Sequence, residues 1–557
     1  MRPVLPWEAT AARRTLDCGR MRFGFRDILL LTMLALVARI VAVLIVPWPP
    51  FTDPAYYSLI AARLADGQGF TTPVLWSFIE VGSVLPDPAV LPVPSNAHWM
   101  PLTSIVAAAS VALFGSSYLA ATLPLILLSA LLAPLTYAIT LELWGSRSTA
   151  IVAGILAIFG GPLLIMYPTT DNFAVFGAAG AASLYCSMRG VRALRPGPWL
   201  VAGGALAGLA TLSRIDGVFL TVAVATAWAV GRGWTPWTPT SRGRASVAWG
   251  VASAAAFLAV LAPWLARNLS VFGTPLPSAG GHTLWIRTYN EQFSIGHEVS
   301  LSTYLDWGVV NIVGSKLYAW GELVGRTGLL LGGIFLIFFV AGLWLFRRRA
   351  ELAPFLVYFM VMFVAMGALF TFHAPKGAFY HSAPAWLPWA FGISVAALPP
   401  AATAAGRVWP FLRRPATHRF ITVAAVAGAI ALSVMSSAIL FAQWDRSRVR
   451  DEQAAAFLRA NAQPTDVIMA SDPASIYPLT GNPGVAAPFD PYRVIEQVVE
   501  AYDVQWVVVL RPGPGETDPL NLWDGSAGMD SEGNHPSFLP ETPAFEGDDV
   551  RVFRVDR

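Results

Sequence analysis

Two aspartates stand where a carboxylate could act as a base in group transfer. Asp53 lies in "FTDPAYYSLIAARLADGQGF" (51–70), a polar stretch that directly follows a long apolar segment. Asp171 lies in "YPTTDNF" (167–173), between two further apolar segments. A carboxylate in such a place can orient a hydroxyl or amine and accept its proton as a new bond forms. Each aspartate also precedes a helical pattern, so both are candidates for catalysis and for helix capping.

Asp53 is followed by Pro54, which is well tolerated in the first turn of a helix, and the helical pattern continues to Gly67. An aspartate cap accepts backbone N–H bonds, which lower its pKa and keep the carboxylate ionised. We therefore predict that Asp53 caps this helix, a role that is compatible with base catalysis. For Asp171 the sequence leaves open both an active-site role and capping, with Thr170 as an alternative cap.

Four further side chains could hold a phosphate group: Lys376, Arg267, Arg214 and His381. Only two of the 37 Lys and Arg residues are lysines, and Lys376 lies between two apolar segments, five residues before His381. Arg267 follows an apolar segment, and Arg214 lies in a turn between two of them. A positive charge at such a point would neutralise a phosphate leaving group. For Lys376 the alternative is a side chain that only reaches toward lipid headgroups.

The sequence leaves one cofactor open, a divalent metal ion. Glu80 and His98 could bind a metal together with one of the aspartates, but their spacing is not diagnostic and ordinary loop roles are the better interpretation of both. The chain has no Walker loop, no Gly-rich dinucleotide motif and no HExxH zinc helix. Outside the cytoplasm, where nucleotide sugars are not available, an activated substrate would have to arrive on a lipid.

Membrane helices must position these residues. Charged residues make up 13% of the 557, the mean hydropathy is +0.55, and apolar runs long enough to cross a bilayer recur. The arginine-rich connectors between the runs are placed in the cytoplasm by the positive-inside rule, which leaves the N-terminus inside and the C-terminus outside. Basic patches interleaved with aromatic residues are missing, so nucleic acid is not an expected partner. The eleven predicted spans are 28–47, 119–142, 148–167, 172–188, 198–212, 217–231, 247–262, 327–346, 352–371, 384–400 and 420–442.

The chain is predicted to have three parts: a cytoplasmic tail (1–27), a transmembrane domain (28–442) and an extracytoplasmic α/β domain (443–557). The transmembrane domain carries two large external loops, 48–118 and 263–326. We therefore expect a multi-pass protein of the plasma membrane whose candidate site faces outward.

Two local patterns complete this picture. "MPLTSIVAAASVALFG" (100–115) is apolar but too short to span a bilayer, so we predict a helix in the outer membrane interface. In the C-terminal domain "DVIMAS", "VQWVVVL" and "DVRVFRV" have the composition of strands. "DPYRVIEQVVEAY" (490–502) predicts an amphipathic helix that begins at Pro491 and is capped by Asp490.

The layout resembles the GT-C glycosyltransferases, specifically the dolichyl-phosphate-mannose-protein mannosyltransferase-like (family 39) and aminoarabinose-transferase-like group. The resemblance lies in "DPAYYSLIAARLADGQGF", "HWMPLTSIVAAASVALFG", "YPTTDNF", "LATLSRIDG" and "APWLARNLSVFGTPLPS", which occur in this order within residues 25–400. It implies an enzyme that transfers a sugar, with inversion, from a polyprenyl-phosphate donor to a protein, lipid or glycan acceptor at the outer membrane face. The carboxylate of the first external loop would activate the acceptor. Members with the fullest motif carry two adjacent acids where this chain has Asp53 and Pro54, which leaves the metal requirement undecided.

Two functions from other classes stay open at the level of sequence. A transporter or lipid flippase would place ionisable or unwound groups near mid-membrane and often shows repeated halves, and neither feature is plain here. A non-enzymatic membrane scaffold would need none of the candidate residues.

Overall fold

The computed structural model describes residues 24–237, 245–277, 282–371, 374–511, 520, 522–523 and 536–556. Most of the predicted tail, 1–27, therefore lies outside the described residues. The helices up to residue 272 are α1 (Phe25–Ile45), α2 (Thr52–Ala65), α3 (Leu102–Phe114), α4 (Tyr118–Ala130), α5 (Leu132–Trp144), α6 (Arg147–Ile158), α7 (Leu163–Met166), α8 (Phe173–Arg192), α9 (Gly197–Ser213), α10 (Leu220–Arg232) and α11 (Val247–Phe272). Those that follow are α12 (His282–Trp285), α13 (Leu301–Asp306), α14 (Val309–Leu330), α15 (Phe335–Leu345), α16 (Ala353–Leu369), α17 (Phe379–Ala405), α18 (Pro415–Asn461), α19 (Pro473–Thr480) and α20 (Tyr492–Ala501).

The polytopic helical fold is confirmed, and each of the eleven predicted spans overlaps helical residues, although 148–167 is divided between α6 and α7. Within the described part of the chain, seven helices are long and apolar enough to cross a membrane, or eight if one bent pair counts as a span. Helices α6 and α9 are apolar but shorter, as is α3, which covers the predicted interfacial segment 100–115.

The predicted span 327–346 is wrong as a single straight helix. Helices α14 and α15 meet there at 104°. The break contains Gly332 (φ +68°) and Gly333 (φ +76°), a left-handed backbone that glycine adopts without a steric penalty. Helix α14 begins at Val309, so residues 309–326, which the sequence placed in the second large loop, are helical.

Close packing of α8 against α17 aligns the two helix ends that carry candidate residues. A Cβ atom at Gly177 would lie 2.6 Å from the Cβ of Pro384, and one at Gly180 would lie 2.6 Å from the Cβ of Ala385. Only glycine permits this approach. Asp171 lies just before α8, and His381 lies in the first turn of α17.

Two ion pairs connect helix ends in the bundle. Arg147 donates to Asp27 at 2.7 Å, and Arg189 donates to Glu142 at 2.6 Å. The first pair joins the start of α6 to the start of α1, and the second joins the last turn of α8 to the end of α5. These four helix ends therefore lie on the same side of the bundle.

A six-stranded sheet forms beyond the membrane helices. Its order is β2 (Val74–Leu75), β5 (Gly484–Ala486), β4 (Val467–Ala470), β6 (Val504–Leu510), β8 (Val550–Arg554) and β7 (Phe545–Glu546). The pairs β2–β5, β4–β5 and β4–β6 are parallel, whereas β6–β8 and β7–β8 are antiparallel. A separate two-stranded ribbon joins β1 (Thr71–Thr72) to β3 (Val93–Pro94). The three strands predicted from the C-terminal sequence are confirmed as β4, β6 and β8.

The first external loop is built into this sheet, because strand β2 comes from the loop and pairs with β5 of the C-terminal region. The predicted boundary at residue 443 also falls inside α18, a continuous helix of 47 residues. The division of the chain at that residue stays a prediction.

The predicted cap at Asp490 is wrong. Helix α20 begins at Tyr492 after Pro491, and no side chain caps it. The buried Asp490 carboxylate instead accepts hydrogen bonds from the Ser294 hydroxyl (2.6 Å) and from the backbone N–H of Ile295 (2.7 Å). It therefore connects the second external loop to the C-terminal region.

Candidate active site

Asp53 lies in the first turn of α2 but does not cap it. The residue at the N-cap position is Phe51, and no side chain accepts a hydrogen bond from the helix start. The capping role predicted for Asp53 is therefore wrong, because the helix begins at Thr52, two residues earlier than the cap would require. The carboxylate is left available for other partners.

The pKa of Asp53 is also opposite to the prediction. Burial of the carboxyl group and the neighbouring charge of Asp171 raise the pKa well above its ordinary value, with Arg214 acting in the other direction. A carboxylate with a raised pKa is a stronger proton acceptor than an exposed aspartate.

Asp171 and His381 meet across the gap between α8 and α17. Nδ1 of His381 lies 3.5 Å from Oδ1 of Asp171 and 2.9 Å from Oδ1 of Asn172. The imidazole ring stacks on Phe173 with 4.3 Å between the ring centroids. Two polar partners and one ring therefore fix the orientation of the imidazole.

Asp53, Asp171 and His381 form a cluster of potential metal ligands, called the ligand group below. Each offers one oxygen or nitrogen atom, and the three atoms lie within 4.8 Å of one another. Asp171 is fully buried, and its Oδ2 atom has no hydrogen-bond partner. An uncompensated acceptor in a buried site is costly, and a divalent cation would satisfy it. The donor set thus fits a cation. Glu80 and His98, for which the sequence favoured ordinary loop roles over metal binding, are not part of the group.

Arg214 lies beside this group. Its Nε atom donates to Oδ1 of Asp216 at 3.0 Å, and the other oxygen of Asp216 accepts from the Ser382 hydroxyl. Arg214 is close enough to act electrostatically on Asp53 and on Tyr57. One side chain therefore brings positive charge to a site that holds two carboxylates.

Tyr57 completes the wall of the site and was not singled out from the sequence. Its hydroxyl accepts a hydrogen bond from Nδ2 of Asn172 at 3.4 Å. Burial and the charges of Asp171 and Asp53 raise the pKa of Tyr57, so its hydroxyl stays protonated. Its position four residues after Asp53, one helical turn away, is the signal that could have found it.

Arg267 has other partners. Its guanidinium donates to the carbonyl oxygen of Ser95 at 2.9 Å and to that of Phe70 at 3.3 Å. It also lies over the ring of Trp264, 4.7 Å from the centroid. These contacts fasten the end of α11 to the first external loop.

Lys376 is exposed and lies in the turn that leads into α17. Its Nζ atom is 4.3 Å from the centroid of the Tyr289 ring. Arg326 supports the same turn, because it donates to the carbonyl oxygen of Pro375 and lies over the ring of Tyr380. The sequence did not single out Arg326, since its position in α14 becomes relevant only through the bend at Gly332.

Glu80 and His98 lie in the first external loop, outside the ligand group. The buried Glu80 carboxylate accepts from the indole of Trp76 (3.1 Å), the hydroxyl of Tyr56 (3.4 Å) and the backbone N–H groups of Ala97 and His98 (both 3.2 Å). Burial lowers the pKa of His98 to about 4, helped by the nearby Arg214. Four donors on one carboxylate favour a structural role for Glu80.

Comparisons with known proteins agree with this geometry. Residues 95–266 match the family of dolichyl-phosphate-mannose-protein mannosyltransferases. This match includes Asp171 and Arg214 but begins after Asp53. No curated protein matches the chain in sequence.

Solved structures share the fold of the chain. ArnT from Cupriavidus metallidurans bound to undecaprenyl phosphate is 14% identical, with a TM-score of 0.59 over 96% of this chain and 98% of that one. The apo state of the same ArnT is 13% identical, with a TM-score of 0.57 over 95% and 97% of the two chains. The Archaeoglobus fulgidus oligosaccharyltransferase tethered to an acceptor peptide is 13% identical, with a TM-score of 0.51 over 89% and 74%.

The family match covers the residues that hold Asp171 and Arg214, two members of the candidate site. The chain is therefore similar to the dolichyl-phosphate-mannose-protein mannosyltransferases over residues 95–266, and its fold as a whole is that of the ArnT structures.

Proposed function

We propose that the chain transfers a sugar from a polyprenyl-phosphate-linked donor to a protein, lipid or glycan acceptor at the outer face of the cell membrane, with inversion at the sugar carbon. The observation that carries the proposal is the convergence of Asp53, Asp171, His381 and Arg214 at one end of the helix bundle. The ArnT structure bound to undecaprenyl phosphate supports a donor of this chemical class.

In the proposed reaction the acceptor hydroxyl or amine attacks the sugar carbon from the side opposite the phosphate. The acceptor's proton passes to the carboxylate of Asp53, which lies with Asp171 and His381 in the candidate site. The new bond to the sugar forms as the bond to the phosphate oxygen breaks, and both electrons of that bond leave with the polyprenyl phosphate. A single displacement of this kind inverts the configuration.

Positive charge must balance the departing phosphate. Arg214 brings its guanidinium to the site, and Lys376 lies in the turn before α17 with an exposed ammonium group. Both can stabilise the negative charge that develops on the phosphate oxygen. Arg267 is less suited, because it already donates to two backbone carbonyl groups.

Asp53, Asp171 and His381 are the residues that would hold a divalent cation in this site. A divalent cation held by them would supply positive charge to the site. The side chains themselves keep the acceptor oriented between Asp53 and the sugar.

A transfer assay tests the proposal. Purified protein in proteoliposomes is given undecaprenyl-phosphate-linked sugars, and envelope glycans and glycolipids from cells with and without the protein are compared by mass spectrometry to identify the product. We expect a sugar-bearing product that requires the protein and is lost with Asp53→Asn. Movement of the labelled lipid across the bilayer without any transfer would instead make the protein a flippase.

The orientation is tested separately with single cysteines at two exposed positions. A cysteine at Asn461, at the end of α18, should react with an impermeant thiol reagent in intact cells. One at Arg195, in the arginine-rich connector after α8, should react only after the membrane is opened. The reverse pattern would place the site on the cytoplasmic side and contradict the outer-face proposal.

A further inference from the structure

The first turn of α2 is held from two directions, and Asp53 lies between the two contacts. On one side the Thr170 hydroxyl donates to the carbonyl oxygen of Pro54 at 2.7 Å. On the other side the Thr52 hydroxyl donates to Oδ2 of Asp472 at 2.7 Å. Thr170 belongs to the Asp171 loop, but Asp472 lies 420 residues along the chain from Thr52, in the C-terminal region.

Asp472 is itself fixed by its own helix. It caps α19, where Oδ1 accepts from the backbone N–H of Ser475 (3.4 Å) and Oδ2 accepts from the Ser475 hydroxyl (2.6 Å). Its Oδ2 atom therefore receives two hydroxyl donors, one from each region of the chain. A carboxylate held at a helix N-terminus in this way is a rigid acceptor for Thr52.

Apolar contacts and a strand pair reinforce the same connection. Ala55 and Leu59 of α2 and Val74 of β2 form one buried cluster with Ala474 of α19. Strand β2 pairs with β5 in parallel, so that Val74 lies opposite Gly484. The helix that carries Asp53 therefore packs directly against the C-terminal region.

This geometry matters because α2 has no side-chain cap of its own. Within the described residues, these two bonds are the only side-chain hydrogen bonds that restrain Thr52, Asp53 and Pro54 at the start of the helix. A shift of about 1 Å in a reacting group can lower a rate by roughly 100-fold, so the contact that sets this turn matters for catalysis.

We propose that Asp472 is a positioning residue for the transfer reaction. It holds the Thr52 hydroxyl, and through it places the carboxylate of Asp53 against Asp171 and His381. The C-terminal region is accordingly part of the active-site framework and not an appendage. This inference rests on the proposed function, because it assumes that Asp53 accepts the acceptor's proton.

The test compares variants that break or keep the Thr52–Asp472 hydrogen bond in the full-length protein. Thr52→Val removes the hydroxyl with little change of shape, and Asp472→Ala removes the acceptor. Both should lower kcat roughly 10- to 100-fold with the KM for the undecaprenyl-phosphate-linked donor unchanged. The double variant should be no slower than the slower single variant, because both changes remove one contact.

Conservative replacements and one matched control separate positioning from general damage. Thr52→Ser keeps the hydroxyl and Asp472→Asn keeps an acceptor oxygen, so each should restore most of the rate. Ser475→Ala removes the other hydroxyl on Asp472 but leaves Thr52 bonded, and its kcat should stay within twofold of the parent protein. If Asp472→Ala fails to fold, the Thr52 variants alone decide the matter.

Asp53→Asn is measured in the same assay. Normal kcat in folded Thr52→Val, together with loss of transfer in Asp53→Asn, would overturn the positioning role and leave the proposed function intact. Normal transfer by Asp53→Asn would defeat the proposed function and this inference with it.

Discussion

Asp171 faces His381 through one carboxylate oxygen and keeps the other buried without a partner. The Nδ1–Oδ1 distance is 3.5 Å, and Oδ2 makes no hydrogen bond. Leaving a buried acceptor unsatisfied costs about 1–3 kcal/mol. Because Asp53 lies within the same 4.8 Å group, the free oxygen points to a ligand that carries positive charge.

Binding of Mn²⁺ is the first prediction. The purified protein should bind Mn²⁺, as measured by electron paramagnetic resonance, and Asp171→Asn should weaken binding by about 10-fold or more. In typical metal sites, removing a residue that hydrogen-bonds to a ligand already lowers metal affinity about 10- to 100-fold, so removing a ligand itself should lower it at least as much. The matched control is Asp216→Asn, which changes a nearby carboxylate outside the group. Equal affinities in the parent protein and Asp171→Asn would mean that these three residues hold no cation.

The second prediction concerns Glu80. Glu80→Gln should lower the thermal stability of the protein in detergent, since the carboxylate accepts four hydrogen bonds and an amide nitrogen cannot accept any. In either orientation of the amide, one backbone N–H, of Ala97 or His98, loses its acceptor, at a cost of about 1–3 kcal/mol. Mn²⁺ affinity should not change. A variant that keeps its stability and loses Mn²⁺ would return Glu80 to the list of metal ligands.

The parts of the fold that the sequence predicts are those set by local pattern. Long apolar runs predict the helices, and runs of β-branched residues predict β4, β6 and β8. Counting the predicted spans between arginine-rich connectors also places four site residues at helix ends on one side of the membrane. These residues are Asp53, Asp171, Arg214 and His381. The structure brings these four close together.

The errors arise where a distant partner decides the local outcome. Asp490 has the sequence of a helix cap, but its carboxylate is used by residues 294–296, almost 200 positions away. Strand β2 has only two residues and is stabilised by β5, which no pattern within the first loop could indicate. Arg39 in α1 donates to the carbonyl oxygens of Ile158 and Leu164, on either side of the break between α6 and α7, and these partners are also far from it in sequence.

Lys376 provides the third prediction. Lys376→Ala should weaken binding of undecaprenyl phosphate to the purified protein, because an exposed ammonium group in the turn before α17 would be lost. Lys376→Arg should restore part of the affinity, since the charge is kept while the compact geometry of the ammonium is lost. Lys316→Ala is the control, because the other lysine already donates to Thr371 at 3.0 Å and lies over Tyr304. Unchanged affinity in Lys376→Ala would show that this lysine reaches only toward the lipid headgroups.

The last prediction concerns Asp53, whose two suggested roles the structure separates. Because the carboxylate caps no helix, neither Asp53→Asn nor Asp53→Ala should incur the cost of about 0.5–2 kcal/mol that loss of a cap brings. Both changes should instead leave thermal stability in detergent equal or raised, since they remove a partly buried carboxyl group whose charge acts against that of Asp171.

The rate of sugar transfer, unlike the thermal stability, should fall in both variants. Neither replacement can accept the acceptor's proton, and general-base assistance is worth about 10²- to 10⁴-fold in rate, so kcat should fall by that order in both variants. Asp66→Asn is a suitable control, because Asp66 lies at the other end of α2 and should affect neither quantity. Rate and stability measured on the same detergent-purified samples decide the matter. A fall in stability that matches the fall in transfer would show that Asp53 has a structural role. A stable variant without transfer activity would support Asp53 as the group that accepts the acceptor's proton.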